Sequence, residues 1–322
     1  MITGKTPQAV AGGVASALCI LAAVVGGPVA LFLSWVAAVP LYMVGLSSGP
    51  AFALRGAAVG AVTVGILWLP VLPMFLLTVA IPVVVLSWAA LTPLQPAGDG
   101  SFRRLSSGQL LTLMVGYAVT IITIAGFAFA GYDGGLTGLM LATMREPLQG
   151  VMLAMDLGMS QDEIEMIAQS MAVSLPAALG IYWVLWSIVN IGIANGMLRR
   201  FGQTLRPDFG AMTVAPPAWV SGAFVVLVAV AFASGSLIEG SVTALVSRNA
   251  VVLLVLVFFL VGVSVVHVVT IGKPARVLIL TLFYVLVLMS GWLALVVAGL
   301  GIIEQWARMR ERSMRSRPDE ED

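Results

Sequence analysis

Long apolar runs, each closed by Gly, Pro or a charged residue, recur along the whole chain, and none shows the two-residue alternation of a membrane barrel. They cover residues 8–24, 29–46, 50–68, 71–91, 110–130, 176–198, 218–234, 248–271 and 277–303. An α-helix rises about 1.5 Å per residue, so crossing a hydrocarbon core of about 30 Å takes about 20 residues. The pattern therefore predicts an all-α, polytopic transmembrane helical bundle with about 8 to 9 hydrophobic segments. The first run follows a single lysine, has no small-residue cleavage site with a polar lead-in, and leads straight into the second, so it is expected to remain an uncleaved helix.

The polar intervals organise the rest. Residues 92–109, TPLQPAGDGSFRRLSSGQ, collect Pro, Gly and Ser around Arg103 and Arg104 and predict a loop on the cytoplasmic side. Residues 131–175 form the largest stretch outside the spans, with six carboxylates against Arg145 alone, a balance suited to the outer side. Within it MSQDEI reads as a helix start, with Ser160 as N-cap and Glu163 closing a capping box. Ile164, Ile167, Ala168, Met171 and Leu175 then share one face, so residues 161–175 are expected to lie along the outer surface, and PLQGVMLAMDL at 147–157 is a weaker amphipathic candidate. The expected organisation is a six-helix core over residues 1–200 carrying this outer loop, further membrane helices over 201–303, and a charged cytoplasmic tail over 304–322.

Charge bears on direction. With Lys5 inside and every run crossing, only 9 of the 16 Lys and Arg fall inside, against the bias that short loops and tails should show. Reading 277–303 as a hairpin broken at Ser290-Gly291 places 14 inside, and reading 218–234 as re-entrant places 13. Each hairpin arm would be only about 20 Å long, too short for an ordinary bilayer. The expected arrangement is eight full crossings with 218–234 partial, both termini cytoplasmic, and 277–303 as one span.

At 60% hydrophobic and 10% charged residues, the composition excludes a soluble domain, and a net charge of +1 with sparse basic clusters argues against nucleic acid. Cys19 is the only cysteine, and the sequence has no HExxH, no GxSxG and no paired carboxylates within a span. A non-enzymatic protein without metal or cofactor is expected, since an intramembrane catalyst would need more ionisable groups at depth.

A few residues stand out as candidate ligand or partner contacts. Ala11 and Ala15, like Gly13 and Ala17 or Gly56 and Gly60, have the spacing that lets helices approach closely, either inside the bundle or against a partner. Arg55, about 8 Å into its helix from Pro50, reads as a snorkelling anchor or a contact for an anionic ligand or partner. Asn190 and Asn195 need hydrogen-bond partners within a span, whether bundle neighbours or a ligand. His267, the only histidine, lies about 6 Å from the end of its run and reads as interfacial, bonded to a carbonyl or a polar neighbour such as Asn190, with a ligand or proton-linked role as the alternative. With eight crossings it falls at the outer end, on the side of the 131–175 loop; a hairpin at 277–303 puts it at the cytoplasmic end. Glu304 closes the last run, next to water.

The run FFLVGVSVVHVV, the basic turn after it and the closing GLGIIEQWARMRER resemble the C-terminal signature of the YybS-like family of bacterial membrane proteins. Phe259, Gly262, His267, Gly301, Glu304, Trp306, Arg308 and Arg310 match the pattern, while Val261 stands where glutamine is commoner. The first six helices are similar to the substrate-binding S component of energy-coupling-factor vitamin transporters. Both ends inside, AGGVA at 11–15 like that family's coupling face, and the VPLYMVGLSSGP entry to the third helix carry this likeness. The resemblance implies a bacterial inner-membrane protein that binds a small molecule beneath the 131–175 loop for uptake, with energy supplied by a membrane coupling partner. The alternative is an assembly or scaffold protein that docks partner helices in the bilayer and carries no solute.

Overall fold

The computed structural model describes residues 5–93, 95–96, 102–155, 158–206, 214–237 and 240–307. Most of the charged tail, residues 308–322, lies outside the described residues, as does the centre of the 92–109 linker. Seven helical segments among the described residues are long and apolar enough to cross a membrane, so the architecture is the expected all-α, polytopic bundle. They are α1 (Lys5–Val25), α2 with α3 (Pro28–Trp35 and Val39–Ser48), α4 (Pro50–Leu67), the interrupted segment ending in α5 (Leu72–Phe75) and α6 (Ile81–Leu91), α7 (Ser107–Ala128), α9 (Gln161–Arg200) and α11 (Val242–Val269). Between α7 and α9 lies α8 (Gly135–Ala154), which begins well before the amphipathic stretch at 147–157. A shorter apolar helix, α10 (Trp219–Leu237), precedes α11, and α12 (Arg276–Met289) and α13 (Gly291–Ala307) follow it. Large apolar side chains face outward on many of these helices, as lipid contact allows: Phe232 is 82% and Ile66 78% exposed.

The reversals between early spans follow from two residue types. Gly27 and Gly49 sit at φ 90° and 102°, values open to glycine at little cost, and the next residue in each case is proline, which starts α2 and α4 where its missing N–H costs nothing.

The chain forms two compact units, one made of Met1–Leu110 with Trp183–Ala211 and the other of Leu111–Tyr182 with Met212–Asp322. The division falls within α7 and α9. In the first unit α1 packs along α4 through glycine. A Cβ on Gly13 would strike the Gly56 carbonyl, and one on Gly60 would lie 2.9 Å from the Gly13 carbonyl oxygen. Without a hydrophobic force between helices in lipid, such backbone approach is what supplies dispersion contact.

In the second unit α11 is the central element, with 14 buried residues. Phe224 of α10 meets Phe258 edge-on at 5.3 Å, and Ser234 lies 3.4 Å from Ser247, so α10 runs antiparallel to α11 over its described length. The same holds for α13: Gly262 faces Val297 and Gly301 faces Phe258, each glycine so close that a Cβ would strike the opposing carbonyl. The expected single span over 277–303 is not formed. The chain breaks at Ser290, whose φ and ψ of −123° and 88° are not helical, and bends by 119° between α12 and α13. Since α13 starts beside the C-terminal end of α11 and runs back along it, α12 begins and ends at that same end.

Prolines inside the spans are tolerated because side chains of neighbouring helices replace the backbone bonds they remove. Pro82 has no N–H for the Thr78 carbonyl, which instead accepts from Trp183 Nε1 at 3.0 Å. Pro40 lies just beyond the break at 36–38, where the Val39 N–H turns to Val36, and the free Trp35 carbonyl accepts from Trp186 Nε1 and from Asn190 Nδ2 at 3.0 Å. At Pro176 the ladder of α9 opens, and Asn249 of α11 enters the gap: its Oδ1 accepts the Ala177 N–H at 2.7 Å, and its Nδ2 donates to Leu245 at 2.8 Å and to Val173 at 3.4 Å. Pro176 therefore does not end a helix, and residues 161–175 are the first part of the 40-residue α9 rather than a separate surface helix. The capping box at its start is formed as expected, with the Ser160 N–H donating to Glu163 at 2.8 Å and the Glu163 N–H to Ser160 Oγ at 3.3 Å. Ile164, Ala168 and Ala172 are buried along it, whereas Met171 is exposed.

Candidate functional site

Among the candidate residues, Asn190 and Asn195 are buried in the first unit, at 0% and 5% exposure. Asn190 Nδ2 divides its two hydrogens between the Trp35 carbonyl and the Trp186 carbonyl one turn earlier on α9, at 3.0 and 2.9 Å. Its Oδ1 is buried with no partner among the described residues. Asn195 Oδ1 accepts from the Thr204 hydroxyl at 3.0 Å and so holds the turn that follows α9. Both asparagines join bundle elements, as polar groups at depth must.

That turn contains a residue whose place the sequence conceals. Arg206, counted from sequence only as a loop cation, is 7% exposed; its guanidinium donates to Ala90 at the end of α6 at 3.0 Å and to Leu105 before α7 at 2.6 Å. Arg104 reaches the Leu205 carbonyl at 3.2 Å, tying the same two loops. Only the partner carbonyls, remote in sequence, reveal this role.

Arg55 is exposed, with its guanidinium carbon 4.8 Å from the Phe52 ring centre, the cation–π contact of a side chain lying along its own helix. The small residues of α1 separate into two faces. Gly12, Gly13, Ser16 and Ala17 are buried, whereas Ala11 is exposed and Ala15 half-buried. Thr6, Pro7, Val10, Ala11 and Val14 together line an open, mainly apolar groove on the outward side.

His267 does not pair with Asn190. Its Nε2 shares a hydrogen bond of 2.7 Å with the hydroxyl of Tyr284 on α12. Nor does it lie at the end of the unit where the acidic connection emerges. At the N-terminal end of α11, Val242 lies against Gly126, two residues before α7 ends, and Asn249 meets Val173 and Ala177 of α9, so the acidic stretch between α7 and α9 starts at that end. His267 is 25 residues further along α11, about 38 Å away. The expectation that placed His267 on the side of the 131–175 loop rested on 277–303 crossing as one straight helix, and the break at Ser290 removes that basis. Cysteines placed at Pro274 and Gly150, one at a time in a Cys19→Ser background, should react with an impermeant thiol reagent from opposite faces of sealed membranes. Labelling of both from the same face would contradict this arrangement.

The two ends of the second unit differ in charge. The connecting end carries Asp133, Glu146, Asp162, Glu163 and Glu165 against Arg145 and Arg248, with Arg145 making a two-pronged bond to Glu165 at 2.6 and 3.1 Å. The His267 end carries Lys273 and Arg276. Glu304, expected beside water, is 5% exposed on α13, and its neighbour Gln305 accepts from the Ser221 hydroxyl of α10. The buried face of α13 runs from Val297 and Ala298 through Gly301 to Glu304, and the sequence shows no sign that it continues that far.

Residues 14–304 match the family model described as predicted membrane protein, DUF2232. No curated protein and no solved structure matches the chain. With nearly its whole length inside that match and with helices of membrane-spanning length and composition throughout, the chain belongs to the DUF2232 family of predicted membrane proteins.

Proposed function

We propose that this is a non-enzymatic protein of the bacterial inner membrane that docks a partner helix against the outward face of α1. The observation that carries the reading is the division of small residues between two faces of one helix. The Gly12 and Gly13 side is used up in contact with α3 and α4, while Ala11 remains exposed in a groove bounded by Thr6, Pro7, Val10 and Val14. A small side chain between larger apolar ones admits the ridge of another helix. In this reading the acidic 131–160 connection lies outside, and the His267 end, with Lys273 and Arg276, is cytoplasmic, in keeping with the charge bias of membrane loops.

The S-component likeness fits the same surface, since AGGVA includes Ala11 and Ala15, and makes the partner a coupling protein for uptake. The buried, unpartnered Oδ1 of Asn190 supports that second reading, because a small polar molecule is one means of satisfying it. A photoreactive side chain at Val14, activated in native membranes, should yield one discrete protein adduct, and Ala11→Phe should abolish it without lowering expression. If only lipid is labelled, or if Ala11→Phe leaves the adduct unchanged, α1 is not a docking helix. Small-molecule binding is separable by native mass spectrometry of wild type and Asn190→Leu: a bound mass lost in the variant supports uptake, and its absence from both leaves docking alone.

A further inference from the structure

The corner where α11 turns into α12 gathers cationic and hydroxyl groups with nothing anionic among the described residues to balance them. Residues 249–303 include no Asp or Glu, and the ion pair formed by the described residues, Arg145–Glu165, is at the far end of the unit. Glu304 lies 13 residues along α13 from Gly291, about 20 Å from the corner. Arg276, the first residue of α12, acts electrostatically on His267, and its Nε has neither surface exposure nor a hydrogen-bond acceptor among the described residues. A guanidinium N–H closed off from water and left unpaired is costly, and an external acceptor would relieve it. Tyr284 brings its hydroxyl to the same place through its 2.7 Å bond with His267, and Lys273 stands exposed in the turn between the helices.

The surroundings say which acceptor fits. No residue of α12 is buried, and its most exposed large side chains are apolar: Val277 is 80%, Leu278 69% and Leu288 85% exposed. Because α12 begins and ends at the C-terminal end of α11, this apolar surface lies at the level where a long apolar helix leaves the bilayer. We propose that His267, Lys273, Arg276 and Tyr284 form a binding site for the phosphate of an anionic phospholipid, with its acyl chains against α12. Arg276 supplies the directional N–H donors, Lys273 a point charge, and the Tyr284 hydroxyl, oriented by His267, a further donor. The site is independent of the docking face on α1, and the two can fail separately.

Native mass spectrometry of the full chain, titrated in detergent with phosphatidylglycerol or phosphatidylcholine of the same acyl chains, tests it. Phosphatidylglycerol should be retained in preference to phosphatidylcholine, and Arg276→Gln should reduce that retention about fivefold, the contribution of one basic residue at an anionic surface. Arg145→Gln, at the opposite end, should not change it. If Arg276→Gln fails to fold, Lys273→Gln gives the same comparison at an exposed position. Equal retention of the two lipids, equal loss in the Arg145 variant, or displacement of phosphatidylglycerol by millimolar inorganic phosphate would each overturn the proposal, the last by showing a site for free anions.

Discussion

Gly262→Leu is expected to separate α11 from α13 and to destabilise the protein in detergent by about 3 kcal/mol or more, at the upper end of the range for overpacked sites. An ordinary core tolerates an added group when a flexible side chain can rotate away. Here the obstacle is backbone: a Cβ at residue 262 would strike the Val297 carbonyl oxygen, and the reciprocal position, Gly301, faces the Phe258 carbonyl. Relief requires moving one helix off the other, which gives up close packing along most of α13. Gly301→Leu should behave alike, whereas Gly299→Leu, on the same helix with nothing within 4 Å of its Cβ position, should be nearly neutral. Denaturation followed by helical circular dichroism separates these outcomes, and a Gly262 variant as stable as the Gly299 variant would refute the close crossing.

Asn249→Leu should cost about 2 kcal/mol, the penalty of leaving a buried donor and acceptor without partners. The side chain is 2% exposed and bonds to both sides of the opening in α9 at Pro176. Leucine has a similar volume, so the loss would come from the unpaired Ala177 N–H and Val173 carbonyl rather than from a cavity. The effect should depend on the proline. In a Pro176→Ala background α9 can close its own ladder, and Asn249→Leu should then cost less than about half as much, a coupling within the range found for residues that share a network. Equal costs in the two backgrounds would show that Asn249 acts through packing and not by replacing a lost backbone bond.

The small-residue faces of α1, the paired prolines and the corner at His267 show where sequence reasoning stops. Spacing identified Ala11, Ala15, Gly13 and Gly56 as places of close approach, but both glycine and alanine rows on α1 have that spacing, and only the position of α4 makes one of them internal. Asn190 is recognisable as polar within an apolar run, yet its acceptor, the Trp35 carbonyl, is freed by a break 155 residues earlier. For His267 the neighbouring residues suggested an interfacial position, while its partner Tyr284 and its end of the bundle depended on a bend of 119° after Ser290.

What the sequence determined by itself is the set of properties that the bilayer imposes on each segment separately. An apolar run of about 20 residues must close all its backbone bonds internally, so the presence of membrane helices follows from composition and length, while the break within 277–303 does not. The capping box at Ser160 was equally legible, because both its partners lie within one helical turn. The tertiary structure decided everything that needs two segments at once. Arg206 became a buried strut because carbonyls at Ala90 and Leu105 converge on it, and Pro176 continued a helix where it would otherwise have ended one because Asn249 lies opposite. In lipid, apolar side chains are at home on either face of a helix, so periodicity does not say which face meets a neighbour; backbone approach and the pairing of polar groups do, and both arise only on assembly.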